Sequence, residues 1–223
     1  MYNTISLFEE RKRELEFYFS ILLDIDSGNP NVQTIDNSAF FKILKSNFIL
    51  MLYNMIESCV VSGIMEIYDE LKRDACSYDE VIEEIKTIWR NRIIAEAYSS
   101  RQSKQSTYEK KVEEIINTIA TKTPIFLTKI ELNSIAGNLD ANKIKNICDK
   151  HRIRYVIEGE TENLKTVRQK RNSLAHGDVS FSDCARDLTM AELEKMKDDV
   201  LVFMQNILDG MKRYYDNQEY KIS

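Results

Sequence analysis

Residues 40–65 read FFKILKSNFILMLYNMIESCVVSGIM, a long apolar run with no proline and a single glycine. Asp36-Asn37-Ser38, just before the run, supplies side chains that favour a helix N-terminus, so we predict one long helix through about Arg73. The run is interrupted by polar residues that include Lys42, Lys45, Asn47, Asn54, Glu57 and Ser58. These polar residues argue against a membrane span.

The composition favours a helical protein. The 223 residues include only two prolines and six glycines, which predicts long helices and argues against a turn-rich β-sandwich. With 43% hydrophobic and 30% charged residues, the chain is ordinary for a globular protein and is not broadly disordered. We therefore predict one mostly all-α domain over residues 1–223.

Apolar periodicity and capping patterns place the other elements. Further helices are predicted at residues 6–26, from Ser77 to beyond Trp89, at about 108–120, and from Asp140 to His151, Thr161 to His176 and Thr189 to about Met211. Residues 99–107 are predicted to be a mobile loop, and 123–132 and 154–157 to be short strands or extended connections. Gly177 is expected to end the helix before it, since glycine adopts the left-handed conformation readily.

Charge and cysteine content set further limits. The net charge of −5 gives no global sign of nucleic-acid binding, but residues 143–171 contain nine Lys or Arg and four Asp or Glu. This region is either a basic site on an acidic body or a solvated helix face. The four cysteines form no metal-binding pattern, and we recognise no signal peptide, so a reducing cytoplasm is the expected compartment.

The segment Arg171-Asn172-Ser173-Leu174-Ala175-His176-Gly177-Asp178 carries the chemistry. His176 can exchange protons near neutrality, and the Arg171 guanidinium is suited to gripping a phosphate. Together they suggest metal-free RNA cleavage, with Asn172 orienting the imidazole or contacting a phosphate. A spacing of five puts Arg171 and His176 roughly 140° apart around a helix, so a two-fold dimer is expected to complete the site. The alternative is that Arg171 pairs with an acidic residue and His176 merely caps a helix.

These residues and several other segments resemble the HEPN superfamily (higher eukaryotes and prokaryotes nucleotide-binding domain), in particular a bacterial branch of short stand-alone nucleases. The segments that carry the resemblance are Phe8–Arg11, Leu44–Phe48, Leu52–Glu57, Ala136–Ala141 with Lys143-Ile144, and Arg171–Gly177. The resemblance covers about residues 5–210. It implies a bundle of four to five long helices with additional short ones and a homodimer with a composite cleft. It also implies that Arg171 and His176 are the catalytic pair, with Asn172 beside them.

Many members of the superfamily are endoribonucleases deployed as toxins or in antiviral defence. Toxins paired with nucleotidyltransferase antitoxins carry a tyrosine two positions after the histidine. This chain has Gly177-Asp178 after His176 and lacks that tyrosine. A nucleotidyltransferase antitoxin is therefore not expected. Another antitoxin or a defence-system partner is the expected kind of partner.

Secondary candidates have simpler alternatives. Glu57 is expected either to bind Arg171 inside the bundle or to lie on a helix surface. Three basic residues, Lys143, Arg168 and Lys170, are candidates for contacting an RNA backbone, with plain surface charge as the alternative. We expect His151 at a helix end.

Two further pairs complete the candidates. Asn138 and Asp140 could support a loop beside the cleft, although an N-cap is the simpler role for Asp140. Tyr214-Tyr215 could stack on bases, but packing is the simpler expectation.

The leading hypothesis is a homodimeric, metal-independent endoribonuclease that uses no cofactor, acts on RNA and binds no membrane. A non-catalytic module that binds RNA, nucleotide or a partner protein is the second hypothesis. A purely structural helical adaptor is the third, and it predicts that Arg171 and His176 are both buried and paired within one subunit.

Overall fold

Eight α-helices build the structure, a computed structural model that describes residues 1–28, 37–99, 105–128, 137–157 and 160–222. The helices are α1 (Tyr2–Asp26), α2 (Asn37–Arg73), α3 (Glu83–Ser99), α4 (Gln105–Ala120), α5 (Ala141–His151), α6 (Glu162–His176), α7 (Phe181–Cys184) and α8 (Met190–Asp216). Over these ranges no strand forms, and isolated bridges join Ser77 to Pro124 and Val81 to Lys221. The all-α prediction is confirmed.

Helix α2 lies at the centre of the bundle and packs against α1, α6, α7 and α8. A helix that is apolar on most of its circumference must be surrounded, because each face needs an apolar partner. By length and composition alone the span Ala39–Arg73 could cross a membrane, but 56% of its most apolar window is buried inside the structure. This burial is what the core helix of a bundle shows.

Helices α1 and α8 cover α2 with apolar stripes. In α1 the buried residues Phe8, Leu15, Phe19 and Leu22 recur at intervals of three, four and seven, which places them on one face. Helix α8 begins at the predicted Thr189–Glu192 capping box, and its buried residues run from Leu193 to Tyr214. The burial of Tyr214 confirms its packing role, whereas the Tyr215 hydroxyl donates a hydrogen bond to Glu70.

The predicted start of the third helix is wrong. The Ser77–Glu80 capping box forms, but it closes only a short 3-10 turn over Tyr78–Glu80, and α3 begins at Glu83. Val81 is extended because the C-terminal segment pairs there, with the Ile82 N–H donating to the Tyr220 carbonyl. A helix starting at the capping box would break this long-range pairing.

The predicted connections are described in part. Residues 123–128 form an irregular connection with an isolated bridge at Pro124 and the Ile125 N–H donating to the Cys76 carbonyl, while 129–132 lie outside the described residues. Residues 154–157 are an irregular connection that passes close to α8. A side chain at Gly210 would meet the Arg154 carbonyl, so glycine is required at this crossing. Of the predicted loop at 99–107, Ser99 and 105–107 are helical and 100–104 lie outside the described residues.

His151 ends α5, as predicted, and is buried between two hydrogen bonds. Its Nδ1–H donates to the Ile147 carbonyl at 2.7 Å, so its Nε2 accepts from the Tyr68 hydroxyl, also at 2.7 Å. Burial lowers the pKa of His151 to about 4 from the ordinary 6.5. The neutral imidazole is therefore part of the native core.

This histidine makes the stability of the fold sensitive to acid. Because its pKa is depressed in the folded state, the unfolded chain binds the extra proton first as pH falls, and native stability is lost between pH 6.5 and 4. We expect the free energy of unfolding to fall by about 2 kcal/mol from this group between about pH 6.5 and 4.5. Urea unfolding at several pH values measures it. His151→Gln, which cannot titrate, should show a shallower slope, and an unchanged slope would contradict this account.

Candidate functional site

Helix α6 presents both residues of the predicted catalytic pair near its C-terminal end. The helix ends at His176 as predicted, and Gly177 follows in the left-handed conformation, with φ of 75°. The Gly177 and Asp178 N–H groups bond back to the Leu174 and Ser173 carbonyls, which closes the last turn. The position of His176 is therefore fixed by an ordered helix end.

Arg171 is half-buried and held on the side of α6 that faces α2. Its guanidinium carbon lies 4.6 Å from the centre of the Tyr53 ring, a cation–π contact. Its Nη1 donates to the Gly137 carbonyl and to the Asn172 side-chain oxygen, each at 3.2 Å. Stacking and two hydrogen bonds pre-organise the guanidinium and leave other N–H donors of the five available to a ligand.

Glu57 supports Arg171 through the backbone of Gly137. Among the described residues the two side chains form no ion pair within 4 Å. Instead, the Glu57 carboxylate accepts from the Gly137 N–H at 2.9 Å, and the carbonyl of the same glycine accepts from Arg171. The predicted direct binding of Arg171 by Glu57 is not seen: Glu57 is half-buried and reaches Arg171 only through Gly137, so its role in the site stays a prediction. The Glu57 carboxylate therefore does not form an ion pair with the positive charge of Arg171.

Tyr53 holds the same short segment from a second direction. Its hydroxyl accepts a hydrogen bond from the Leu139 N–H at 3.1 Å, while its ring makes the cation–π contact with Arg171. Burial raises the pKa of the Tyr53 hydroxyl, which therefore stays protonated. The sequence reasoning missed this residue, although it lies in the Leu52–Glu57 segment that carried the resemblance.

The polar residues around the segment fill supporting roles. The side chain of Asp140 caps α5 by accepting from the Lys143 N–H, as predicted, and its second oxygen accepts from Arg168 at 2.6 Å. Asn172 reaches the exposed Asn138 across a gap of 3.4 Å between amide nitrogen and oxygen. The predicted residues at 138–140 and 168–172 are therefore brought together.

The three residues predicted to contact an RNA backbone differ in whether their side chains already have partners within the protein. Arg168 is engaged by Asp140, and the Lys170 ammonium donates to the Cys184 carbonyl at 2.5 Å. Lys143 has a half-exposed side chain, and within the described residues only its backbone N–H is used. Their role in RNA binding stays a prediction, with Lys143 the least constrained of the three.

The segment that follows His176 is anchored on α2 by two neighbouring polar residues. Lys45 is buried, and its ammonium donates to the Arg186 and Leu188 carbonyls at 3.1 and 2.6 Å. Ser46 donates to the Phe181 carbonyl at 2.6 Å and accepts from the Ala185 N–H at 3.2 Å. Sequence reasoning gave neither residue a role, although both interrupt an apolar run and lie in the Leu44–Phe48 segment that carried the resemblance.

His176 is exposed, and no described residue hydrogen-bonds its imidazole. Since α6 is helical through His176, the angle of roughly 140° between it and Arg171 holds in the structure. The third hypothesis required both residues to be buried and paired within one subunit, but His176 is exposed and Arg171 is only half-buried, although bonded within the chain. Over the described ranges, no group of three His, Cys, Asp or Glu is placed to hold a metal ion.

The structure is an all-α bundle with an Arg/His pair near the end of one helix. Comparison with known families shows which family of helical domains has this arrangement. A family model described as HEPN_MAE_28990-like HEPN matches residues 3–220. The chain therefore belongs to the HEPN superfamily, whose domains are generally RNase-like. Searches of the curated proteins and of the solved structures gave no match.

The bridge through Gly137 can be tested with a matched pair of glycines. Gly137 and Gly28 both have left-handed backbones, with φ of 80° and 73°, so alanine at either should cost about 1 kcal/mol of stability. Only at Gly137 would the new methyl approach Arg171, at 3.7 Å from Nη1, whereas no atom of the described residues lies within 4 Å at Gly28.

We expect Gly137→Ala and Gly28→Ala to lower the free energy of unfolding by similar amounts in urea titrations. Only Gly137→Ala should also change the surroundings of the Arg171 guanidinium, because its methyl would be in van der Waals contact with Nη1, and NMR of the arginine side-chain Nε–H reports this change. An unchanged Arg171 signal in Gly137→Ala would contradict the bridge.

Proposed function

We propose that the protein is a metal-independent endoribonuclease that acts as a homodimer with a composite Arg/His site. The observation that carries the proposal is the contrast between the two residues. Arg171 is oriented by Tyr53 and Gly137, while His176 is exposed at an ordered helix end with no partner among the described residues. A fixed cation and an exposed imidazole, brought to one phosphate across a dimer axis, suit phosphodiester cleavage.

The proposed reaction uses the ribose 2'-hydroxyl as nucleophile. His176 of one subunit takes its proton as the 2'-oxygen attacks phosphorus, and the bond to the 5'-oxygen breaks. A solvent water protonates the departing 5'-oxygen, so each site needs one His176. Arg171 stabilises the non-bridging oxygens of the phosphorane. The products are a 2',3'-cyclic phosphate and a 5'-hydroxyl.

Two features support a dimer as the active unit. Arg171 and His176 diverge around α6, so one chain does not aim both at one phosphate. Val179 and Phe181, a few residues after His176, are large apolar side chains that remain exposed in the single chain. A second copy across a two-fold axis would cover them and supply the complementary residue.

The biological setting that fits such an enzyme is a toxin or an antiviral nuclease in the cytoplasm, controlled by an antitoxin or a defence-system partner. An unrestrained RNase of this kind would damage the RNA of its own cell. The proposal includes no membrane and no cofactor.

A non-catalytic HEPN module is the alternative. The observation that favours it is that Arg168 and Lys170, two of the cations expected to bind RNA, are already used within the chain. Such a module would bind RNA, nucleotide or a partner protein and turn nothing over.

His176→Ala should abolish RNA cleavage without dissociating the dimer, because an exposed side chain contributes little to packing. Incubation of the wild-type dimer with mixed RNA in EDTA, followed by analysis of the ends, should show 2',3'-cyclic phosphates. Size-exclusion chromatography checks the dimer. An intact RNA pool with the wild type, or a metal-dependent 3'-hydroxyl product, would overturn the proposal.

Arg171→Lys keeps the charge but loses the planar fork and much of the stacking on Tyr53. We expect a fall in the cleavage rate of about 100-fold or more, as when one transition-state donor is removed. Arg73→Lys on the exposed end of α2 is the matched control and should cleave at the wild-type rate. Equal rates for the two variants would show that Arg171 is not part of the reaction.

A further inference from the structure

A groove between α1 and α2 opens next to the bridge that orients Arg171. Its volume is about 650 Å³, within the range of roughly 300–1,000 Å³ typical of small-molecule sites. Three apolar residues, Leu15, Met51 and Val61, form part of its wall. A flat aromatic ring could pack against such a surface.

The polar groups of the groove favour a ligand that donates hydrogen bonds. The groove is lined by two carboxylates, Glu14 and Glu57, and by one cation, Arg11. The excess of negative charge disfavours a phosphate and favours N–H donors. Asn54 adds an exposed amide that no described residue hydrogen-bonds, and an amide of this kind pairs with the edge of a base.

The groups on the α1 side are available to a ligand. Arg11 and Glu14 form an ion pair at 2.7 Å, but both side chains are more than 40% exposed. An exposed pair of this kind contributes little to stability, so a ligand can replace it at small cost.

Glu57 joins this groove to the candidate catalytic site. It lines the groove and accepts from the Gly137 N–H, and the carbonyl of Gly137 accepts from Arg171. A single residue therefore separates the acceptor in the groove from the guanidinium. This short connection is the basis for placing the groove beside a phosphate bound to Arg171.

We propose that the α1–α2 groove is a base-recognition subsite that takes an RNA nucleobase with an exocyclic amine, next to the phosphate held by Arg171. The carboxylates accept from the amine, and Asn54 pairs with the adjacent ring edge. Uracil fits poorly because it would turn carbonyl oxygens toward the carboxylates. This assignment rests on the proposed ribonuclease function, whose substrate it specifies.

The test uses the full-length His176→Ala dimer, which leaves the RNA intact. Fluorescence anisotropy measures its binding to labelled oligoadenylate, oligocytidylate and oligouridylate of one length at one salt concentration. We expect the adenylate and cytidylate to bind about tenfold more tightly than the uridylate. Asn54→Ala and, separately, Glu14→Gln should reduce this preference several-fold, while Asn91→Ala, an exposed site on α3, should leave it unchanged.

The outcomes separate this inference from the proposed function. Equal binding of the three oligonucleotides, or a preference that survives both groove variants, would overturn the subsite even if the wild type cleaves RNA. A groove-dependent preference in a protein whose wild type cleaves no RNA would support the subsite and reject the nuclease. Dimers whose assembly is disrupted by Asn54→Ala would indicate that a second copy, not a base, occupies the groove, and this too would overturn the proposal.

Discussion

The stacking of Arg171 on Tyr53 ties the candidate site to the core of the protein. Tyr53 belongs to α2, the buried central helix, so its ring cannot move without disturbing the packing of the whole bundle. Contact with this fixed ring also restricts the Arg171 guanidinium. A long, exposed arginine side chain would otherwise sample many rotamers and lose conformational entropy on binding a ligand. The position of the cation is therefore set by the fold.

Other polar groups of α2 also fix the position of the loops around the candidate site. Glu57 and the Tyr53 hydroxyl fix the backbone of residues 137–139, while Lys45 and Ser46 fix the chain after His176. Each of these groups is partly or wholly buried, so leaving it without its partner would carry a desolvation cost. The polar interruptions in an apolar helix thus act as anchors for the segments on both sides of the site.

Much of the fold could be predicted from the sequence, because helix periodicity and capping are local signals. The stop at Gly177 and the cap at Asp140 follow from residues within a few positions of them. The start of α3 could not be predicted, since Val81 is drawn into pairing with Lys221, far along the chain. The same holds for the site: the Arg/His spacing was visible, but the contact of Tyr53 with Arg171 joins residues more than a hundred positions apart.

The central claim is that Arg171 and His176 act across a two-fold axis, and subunit complementation tests it most directly. Differently tagged Arg171→Ala and His176→Ala chains are co-expressed, and the mixed dimer is purified through both tags. If each site combines Arg171 of one subunit with His176 of the other, the mixed dimer retains one intact site and should cleave RNA at about half the wild-type rate, although both parent variants are inactive. A mixed dimer that is as inactive as its parents would contradict the account.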